Sequence, residues 1–290
     1  MQWNTSRFQI DLTQPKVMGI VNVTPDSFSD GGQHDSTQAA LQHCEKLIKD
    51  GADILDIGGE SSRPGALALP LKQELARVLP VVREAVKLGV PVSVDTYKPQ
   101  VMQAVLDLGA DIINDIWALR WRDQSAAAGS LSAQQVVSRH GACGVCLMHM
   151  HGEPVTMQLS PMPGDVVAQV LLFLKGVAQV LQAQGVSQDR IVIDPGIGFG
   201  KTLAQNFALL ARQGELLAAG YPLLLGWSRK SSLAALSAVA ASSPAWRDQQ
   251  ECLVPSVAAA LLALERGASI VRVHDVRETV QAIKVLQAIR

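Results

Sequence analysis

The chain has 290 residues, with 48% hydrophobic and 18% charged side chains and a formal net charge of −1. The charged share lies below the roughly 25% of an average soluble domain, which excludes disorder, a coiled coil and a highly charged surface protein. No basic excess exists to drive nonspecific binding to nucleic acid or to an anionic membrane, although a small local anion site would not show in the sum.

Four cysteines do not make a disulfide framework. The N-terminal Met1 to Arg7 has no apolar signal core. The apolar stretch Val254 to Leu264 is shorter than the ~20 residues that span a bilayer, and Val166 to Leu181 is broken by Lys175 and glutamines. A soluble cytoplasmic protein with no membrane and no nucleic-acid partner is expected.

Eight short, unalternated apolar runs are predicted as strands buried on both faces. In chain order they are Val17–Val21, Ile54–Ile57, Val92–Val94, Ile112–Ile113, Val145–Met148, Ile191–Ile193, Leu223–Leu225 and Ile270–Val273. Segments of helical spacing lie between most of them, such as Ala39 to Ile48, Val101 to Leu108 and Val166 to Val177. They stop at Gly51, Gly89, Gly109, Gly185, Gly220 and Gly267, the usual left-handed caps. No Ser/Gly/Pro-rich linker divides the chain. The expected fold is an α/β (β/α)8 TIM barrel over residues 1–290 as one domain, at about 36 residues per unit, with a doubly wound sheet as the alternative. Ser237 to Gln250 reads as a polar insertion.

Every strand ends in a polar residue: Asn22, then Asp56 with Glu60, Asp95, Asn114–Asp115, His149, Asp194, Ser228–Arg229–Lys230, and Arg272 with His274–Asp275. In a barrel these ends converge on the C-terminal face, where such enzymes place their sites. Asp, Asn and Ser also cap helices. Capping does not call for Arg272, His274 or Lys230, and Asp56 inside Ile54–Ile57 needs a partner or a ligand. The coincidence of polar ends favours a ligand site.

Three glycine-rich segments flank this face: Asn22 to Gly32, Gly58 to Gly65 and Asp194 to Lys201. The third ends in Gly200-Lys201-Thr202, yet Pro195 stands where a phosphate loop needs its first glycine. Cys143 and Cys146 have zinc or redox spacing, but they lie at a strand whose residues three apart face opposite sides. Two buried small residues are expected there. The tryptophans are expected to pack, with Trp227, beside Ser228–Lys230, as the candidate exception.

Several of these segments resemble the dihydropteroate synthase family. The opening motif is Met18-Gly-Ile-Val-Asn22-Val-Thr-Pro-Asp26-Ser-Phe28-Ser-Asp30-Gly-Gly32. It is followed by Asp56-Ile-Gly-Gly-Glu60-Ser-Ser62-Arg63-Pro64-Gly65, Ser93-Val-Asp95-Thr96 and Ile112-Ile-Asn114-Asp115. The series ends with Asp194-Pro-Gly-Ile-Gly-Phe199-Gly-Lys201, Ser228-Arg229-Lys230-Ser231 and Arg272-Val-His274-Asp275-Val276. The motifs keep family order and span nearly the whole chain.

The resemblance implies a transferase that joins p-aminobenzoate to the methylene of a dihydropterin pyrophosphate, releasing pyrophosphate and 7,8-dihydropteroate for folate biosynthesis. It implies pterin contacts from Asp95, Asn114, Asp194, Lys230 and Arg272. Asn22, Ser62, Arg63, Arg272 and His274 are implied at the pyrophosphate, with Asn22 helping to hold Mg²⁺. Phe28, Ser62, Pro64, Phe199, Lys230 and Ser231 are implied at p-aminobenzoate. Asp30, Arg63, Lys230, Arg272 and His274 form the implied catalytic set. A dissociative path through a pterin methylene cation and a homodimer are further implications. A noncatalytic pterin-binding paralogue is the alternative. Three positions depart from the family pattern: Ser62 for a usual Thr, Tyr97 for a usual Ser, and Pro255 before Ser256. Ser62 bears on p-aminobenzoate affinity and sulfonamide discrimination.

Overall fold

The computed structural model describes residues 1–23, 33–63, 65–123, 129–236 and 252–289. The chain opens with an antiparallel hairpin, β1 (Gln2–Asn4) against β2 (Gln9–Asp11). Eight strand–helix units follow. They are β3 (Lys16–Asn22) with α1 (Gln33–Asp50), β4 (Ile54–Gly58) with α2 (Leu71–Ala85), β5 (Val92–Asp95) with α3 (Pro99–Asp107), and β6 (Ile112–Asp115) with α4 (Ala133–His140). Next come β7 (Gly144–Met148) with α5 (Val166–Ala183), and β8 (Ile191–Asp194) with α6 (Leu203–Ala211) and the short α7 (Gln213–Leu216). The last two are β9 (Leu224–Leu225) with α8 (Ser231–Ala234) and α9 (Leu253–Glu265), and β10 (Ile270–Val273) with α10 (Val276–Ala288).

Strands β3 to β10 form one parallel sheet in the order β8-β7-β6-β5-β4-β3-β10-β9. A parallel bridge between Ile193 and Leu223 joins its two ends. The expected (β/α)8 barrel is therefore the fold, and each expected strand lies in or against this sheet. Helix boundaries follow local chemistry. Ser132 and Thr202 build capping boxes with Gln135 and Gln205, and Pro99 starts α3 at a position that needs no N–H. The expected stops Gly51 and Gly109 have φ of 103° and 96°, which a side chain would strain. Helix α5 is long and apolar enough to cross a membrane by composition alone. Its Val170, Leu174, Ala178 and Leu181 form one buried stripe within the main core.

Strand periodicity builds the barrel interior in layers. Met18, Ile54, Ile112, Cys146, Val192, Leu224 and Ile270 form an apolar floor with Trp3, Ile10 and Leu12 of the hairpin. Trp3 is fully buried and donates its indole N–H to the Arg190 carbonyl at 2.9 Å. Two residues further along five of these strands, on the same face, stand Asp56, Asn114, Met148, Asp194 and Arg272. The hairpin thus closes the N-terminal end, and the C-terminal end becomes polar.

Candidate active site

Asp56 is fully buried and lies at the centre of this polar layer. Its Oδ1 accepts from Ser93 Oγ at 2.6 Å. Its Oδ2 accepts from Arg272 Nε at 2.6 Å and Asn114 Nδ2 at 3.1 Å. Arg272 Nη2 also donates to Asp95 Oδ2 at 2.9 Å. One guanidinium thus spans carboxylates from β4 and β5. Burial pushes the Asp95 carboxyl up while Arg272 pulls it down. The partner that Asp56 needs is Arg272, supported by Ser93 and Asn114.

Asp194 ends β8, and its Oδ1 takes the Gly196 N–H at 2.7 Å. Burial raises its pKa against that bond and the pull of Lys230, Lys201 and Arg272. The Lys230 ammonium sits 4.3 Å from the centre of the Phe199 ring, a cation–π distance. Burial lowers Lys230 to about 8 although Asp194 opposes this. His274 Nδ1 lies 2.9 Å from Ser228 Oγ. Burial, with Arg229, Arg272, Arg63 and Lys230 around it, holds His274 well below its ordinary value, so the imidazole is neutral.

The glycine-rich segment after β8 is shaped by Lys201, which is 2% exposed. Its Nζ reaches His149 Nδ1 at 3.0 Å and the carbonyls of Gly196, Phe199 and His149 at 2.8, 3.0 and 3.3 Å. Burial lowers this ammonium to about 7. A Cβ at Gly196 or Gly200 would lie 1.9 Å from the His149 carbonyl oxygen or 2.1 Å from that of His151. Only glycine permits this approach.

Several expected site residues are not in the polar layer. Asp115 follows Asn114 and so faces the other way. It accepts the N–H groups of Trp117 and Leu119 at 2.8 and 2.7 Å, in a turn where Ala118 and Leu119 have φ of 52° and 61°. Burial raises it to about 7. His149 packs edge-on against Phe173 of α5 and partners Lys201, and burial takes it to about 2. Asp275 pairs with Arg229 at 2.6 Å. Trp227 is 1% exposed and stacks on Phe207, so it packs, as the described Trp3, Trp117 and Trp121 do.

Asn22 is half-buried at the end of β3, and Ser231 is exposed at the first position of α8. Ser62 is half-buried and Arg63 exposed in the loop after β4. Phe28, Asp30 and Pro64, and the whole expected 237–250 insertion with Trp246 in it, lie outside the described residues. Cys143 and Cys146 are buried thiols in separate clusters, and burial raises both above the ordinary thiol value. Among the described residues, no group of three His, Cys, Asp or Glu could hold a metal ion.

Sequence reasoning placed Asp56 and Lys201 in motifs without assigning them a role. The charge of Lys201 beside three glycines was a usable signal, because a buried ammonium must bind carbonyls or carboxylates.

The pterin-binding enzyme family matches residues 18–274. A dihydropteroate synthase of Neisseria meningitidis serogroup B is 47% identical, over 99% of this chain and 97% of that protein. That of Escherichia coli K12 is 46% identical, over 96% and 93%. The Burkholderia cenocepacia dihydropteroate synthase solved with 7,8-dihydropteroate has 46% identity and a TM-score of 0.85, covering 100% of this chain and 96% of that one. The Xanthomonas albilineans enzyme solved with 4-aminobenzoic acid has 45% identity and a TM-score of 0.84, covering 97% and 95%. This chain belongs to the pterin-binding enzyme family, among the dihydropteroate synthases.

Proposed function

We propose that the protein joins p-aminobenzoate to dihydropterin pyrophosphate in this barrel mouth, forming 7,8-dihydropteroate and pyrophosphate. The observation that carries this reading is the convergence of Asp56, Asp95, Asn114, Asp194, Lys230 and Arg272 at the polar mouth of the barrel, with Asp56, Asn114 and Asp194 buried. A pterin presents an amidine edge of N–H donors, which a buried carboxylate accepts in parallel. Asp194 is suited to that edge, because among the described residues only its Oδ1 is engaged, by the Gly196 N–H. Asp95 and Asn114 meet further ring nitrogens, and Lys230 donates to the ring carbonyl side. Arg272 is held at its Nε and Nη2 by Asp56 and Asp95, so its plane is fixed for stacking on the ring.

The leaving pyrophosphate requires positive groups and N–H donors. Arg63, Arg272 and His274 supply them, with the Ser62 hydroxyl. The Asn22 side chain bonds no other described residue, and its amide oxygen is the group assigned to the metal. One neutral oxygen would make a weak Mg²⁺ site alone, so metal affinity would depend on bound pyrophosphate. Bound there, Mg²⁺ would neutralise charge on the leaving group. Departure of pyrophosphate before attack leaves a pterin methylene cation, which the carboxylates around Arg272 stabilise electrostatically. The aniline nitrogen is a nucleophile at neutral pH and requires no strong base.

Phe28, Pro64 and Phe199 are assigned to the walls of the p-aminobenzoate site, Ser231 to its carboxylate, and Asp30 to supporting the cation. Exposed Val254, Val285 and Ile289 on or beside α9 and α10 suit a homodimer face. We assign the whole chain to one cytoplasmic domain.

The test is product formation from dihydropterin pyrophosphate, p-aminobenzoate and Mg²⁺. Stoichiometric release of pyrophosphate and dihydropteroate is expected. Tight pterin binding without turnover would favour a noncatalytic paralogue.

A further inference from the structure

Beyond Glu60, the loop from β4 to α2 has few ties to the barrel. Its root is fixed on both sides. Arg77 Nη1 donates to the Gly59 carbonyl at 2.9 Å, and a Cβ on Gly59 would come within 2.7 Å of Val78 Cγ1. Glu60 is then gripped from the β5 side. Its Oε1 accepts from the Tyr97 hydroxyl at 2.7 Å, and its Oε2 pairs with the Lys98 ammonium.

Lys98 also pairs with Glu74 Oε2 at 2.5 Å, and Thr96 Oγ1 donates to Glu74 Oε1 at 2.6 Å. Side-chain exposure is 11% for Glu60, 7% for Lys98 and 1% for Glu74. Thr96 in turn donates its N–H to the Asn114 carbonyl at 3.1 Å. A buried chain of polar groups therefore runs from the loop to the strand ends that carry Asp95 and Asn114. The Tyr97 ring is braced by Trp121 at 5.1 Å and Trp117 at 6.5 Å between centroids. After Glu60 the ties among the described residues are the Arg63 N–H to Ser61 Oγ at 3.5 Å within the loop, and the Gly65 N–H to the Pro154 carbonyl and the Ala66 N–H to the Arg63 carbonyl, both at 3.0 Å. The Ser62 and Arg63 side chains bond no other described residue. They are therefore aimed by their backbone, and among the described residues the last side chain before them that ties the loop to the barrel is Glu60.

We infer that Glu60 is a positioning residue, held by Tyr97 and Lys98, which sets the reach of Ser62 and Arg63 towards the leaving group and p-aminobenzoate. The inference rests on the roles proposed above for Ser62 and Arg63. It also assigns a function to Tyr97: its phenol is long enough to reach the Glu60 carboxylate from the adjacent strand end. The pterin floor is held by separate bonds, Arg272 to Asp56 and Asp95, so a slack loop leaves pterin affinity intact.

The test compares Glu60→Gln and Tyr97→Phe in the wild-type chain and in a Ser62→Ala/Arg63→Ala background. Both single variants are expected to lower kcat/KM for p-aminobenzoate by about ten- to a hundredfold, the scale of an ångström-sized misplacement. Affinity for 6-hydroxymethylpterin, which lacks the pyrophosphate, is expected to stay within about twofold. In the double-alanine background the Glu60→Gln effect is expected to shrink to less than about twofold, because residues that act through one another are not additive. An undiminished effect there, a parallel loss of pterin affinity, or wild-type turnover by Glu60→Gln would each overturn the inference. Should Glu60→Gln fold poorly, Tyr97→Phe removes one oxygen and tests the same link. Wild-type turnover by the double-alanine chain would instead remove the roles of Ser62 and Arg63, a distinct result.

Discussion

Arg272 Nε and Asp56 Oδ2 meet at 2.6 Å inside the barrel, although 216 residues separate them. The pair joins the last strand to the second of the barrel, on a carboxylate with no exposed surface. A buried ion pair adds little net stability over an apolar pair of the same shape, but breaking it strands a charge. Its value here is geometric: it orients a guanidinium beside the groups assigned to the pterin.

Asp56→Asn therefore tests the organising role of this carboxylate. Arg272 keeps Asp95 as a partner, so the loss of stability is expected at the lower end of the ~3–5 kcal/mol typical of a broken buried pair. Pterin affinity is expected to fall at least about tenfold. Urea unfolding and a pterin titration on the same variant check both parts.

Lys201→Met tests whether the glycine-rich segment after β8 is shaped from within. The substitution keeps much of the volume and removes the donor shared by three carbonyls and His149. Each buried acceptor left unpaired costs about 1–3 kcal/mol. Lower stability with weaker pterin binding is expected, because Gly196 fixes Asp194 through its N–H. Unchanged pterin affinity would mean that Asp194 needs no such support.

The barrel and its polar rim were legible because both follow from period-two alternation, which places Ile54 and Asp56, or Ile270 and Arg272, on one face. The inward or outward direction of neighbouring polar residues was harder to read. Asn114 and Asp115 alternate, but only the strand register shows which one faces the axis. His149 reads as a site residue until Lys201 occupies its ring nitrogen. The N-terminal hairpin has three-residue strands, too short for a periodic signal, and its partner Arg190 is far along the chain. The link from Glu60 to Tyr97 and Lys98 crosses two loops, and local spacing carries no sign of it.

Lys230 gives the pH dependence its sign. Its folded value of about 8 lies below the ordinary 10.5, so the ammonium assigned to the pterin carbonyl side is lost as pH rises through about 8. kcat/KM is expected to fall on that limb, and Lys230→Arg to move the limb upward. Between about 8 and 10.5 the unfolded chain holds the extra proton, so the contribution of Lys230 to stability rises over the same window. Activity and this stability contribution thus run in opposite directions, which separates a titrating donor from simple alkaline unfolding.

Trp3→Ala tests the division between barrel floor and barrel mouth. Trp3 is fully buried against the inner ends of the strands and bonded to Arg190. A loss of about 3–5 kcal/mol is expected in denaturant unfolding. KM for both substrates in the surviving folded protein is expected to change less than about twofold, since the polar layer lies above the floor.

The most direct measurement is equilibrium binding of a dihydropterin to Asp194→Ala, with Arg63→Ala beside it. Asp194 is the buried carboxylate assigned to the amidine edge, and Arg63 is assigned to the leaving group alone. Loss of detectable pterin binding in Asp194→Ala, with near-normal pterin binding and slow turnover in Arg63→Ala, is the expected result. Wild-type pterin affinity in a folded Asp194→Ala protein would contradict the placement of the pterin in this polar layer.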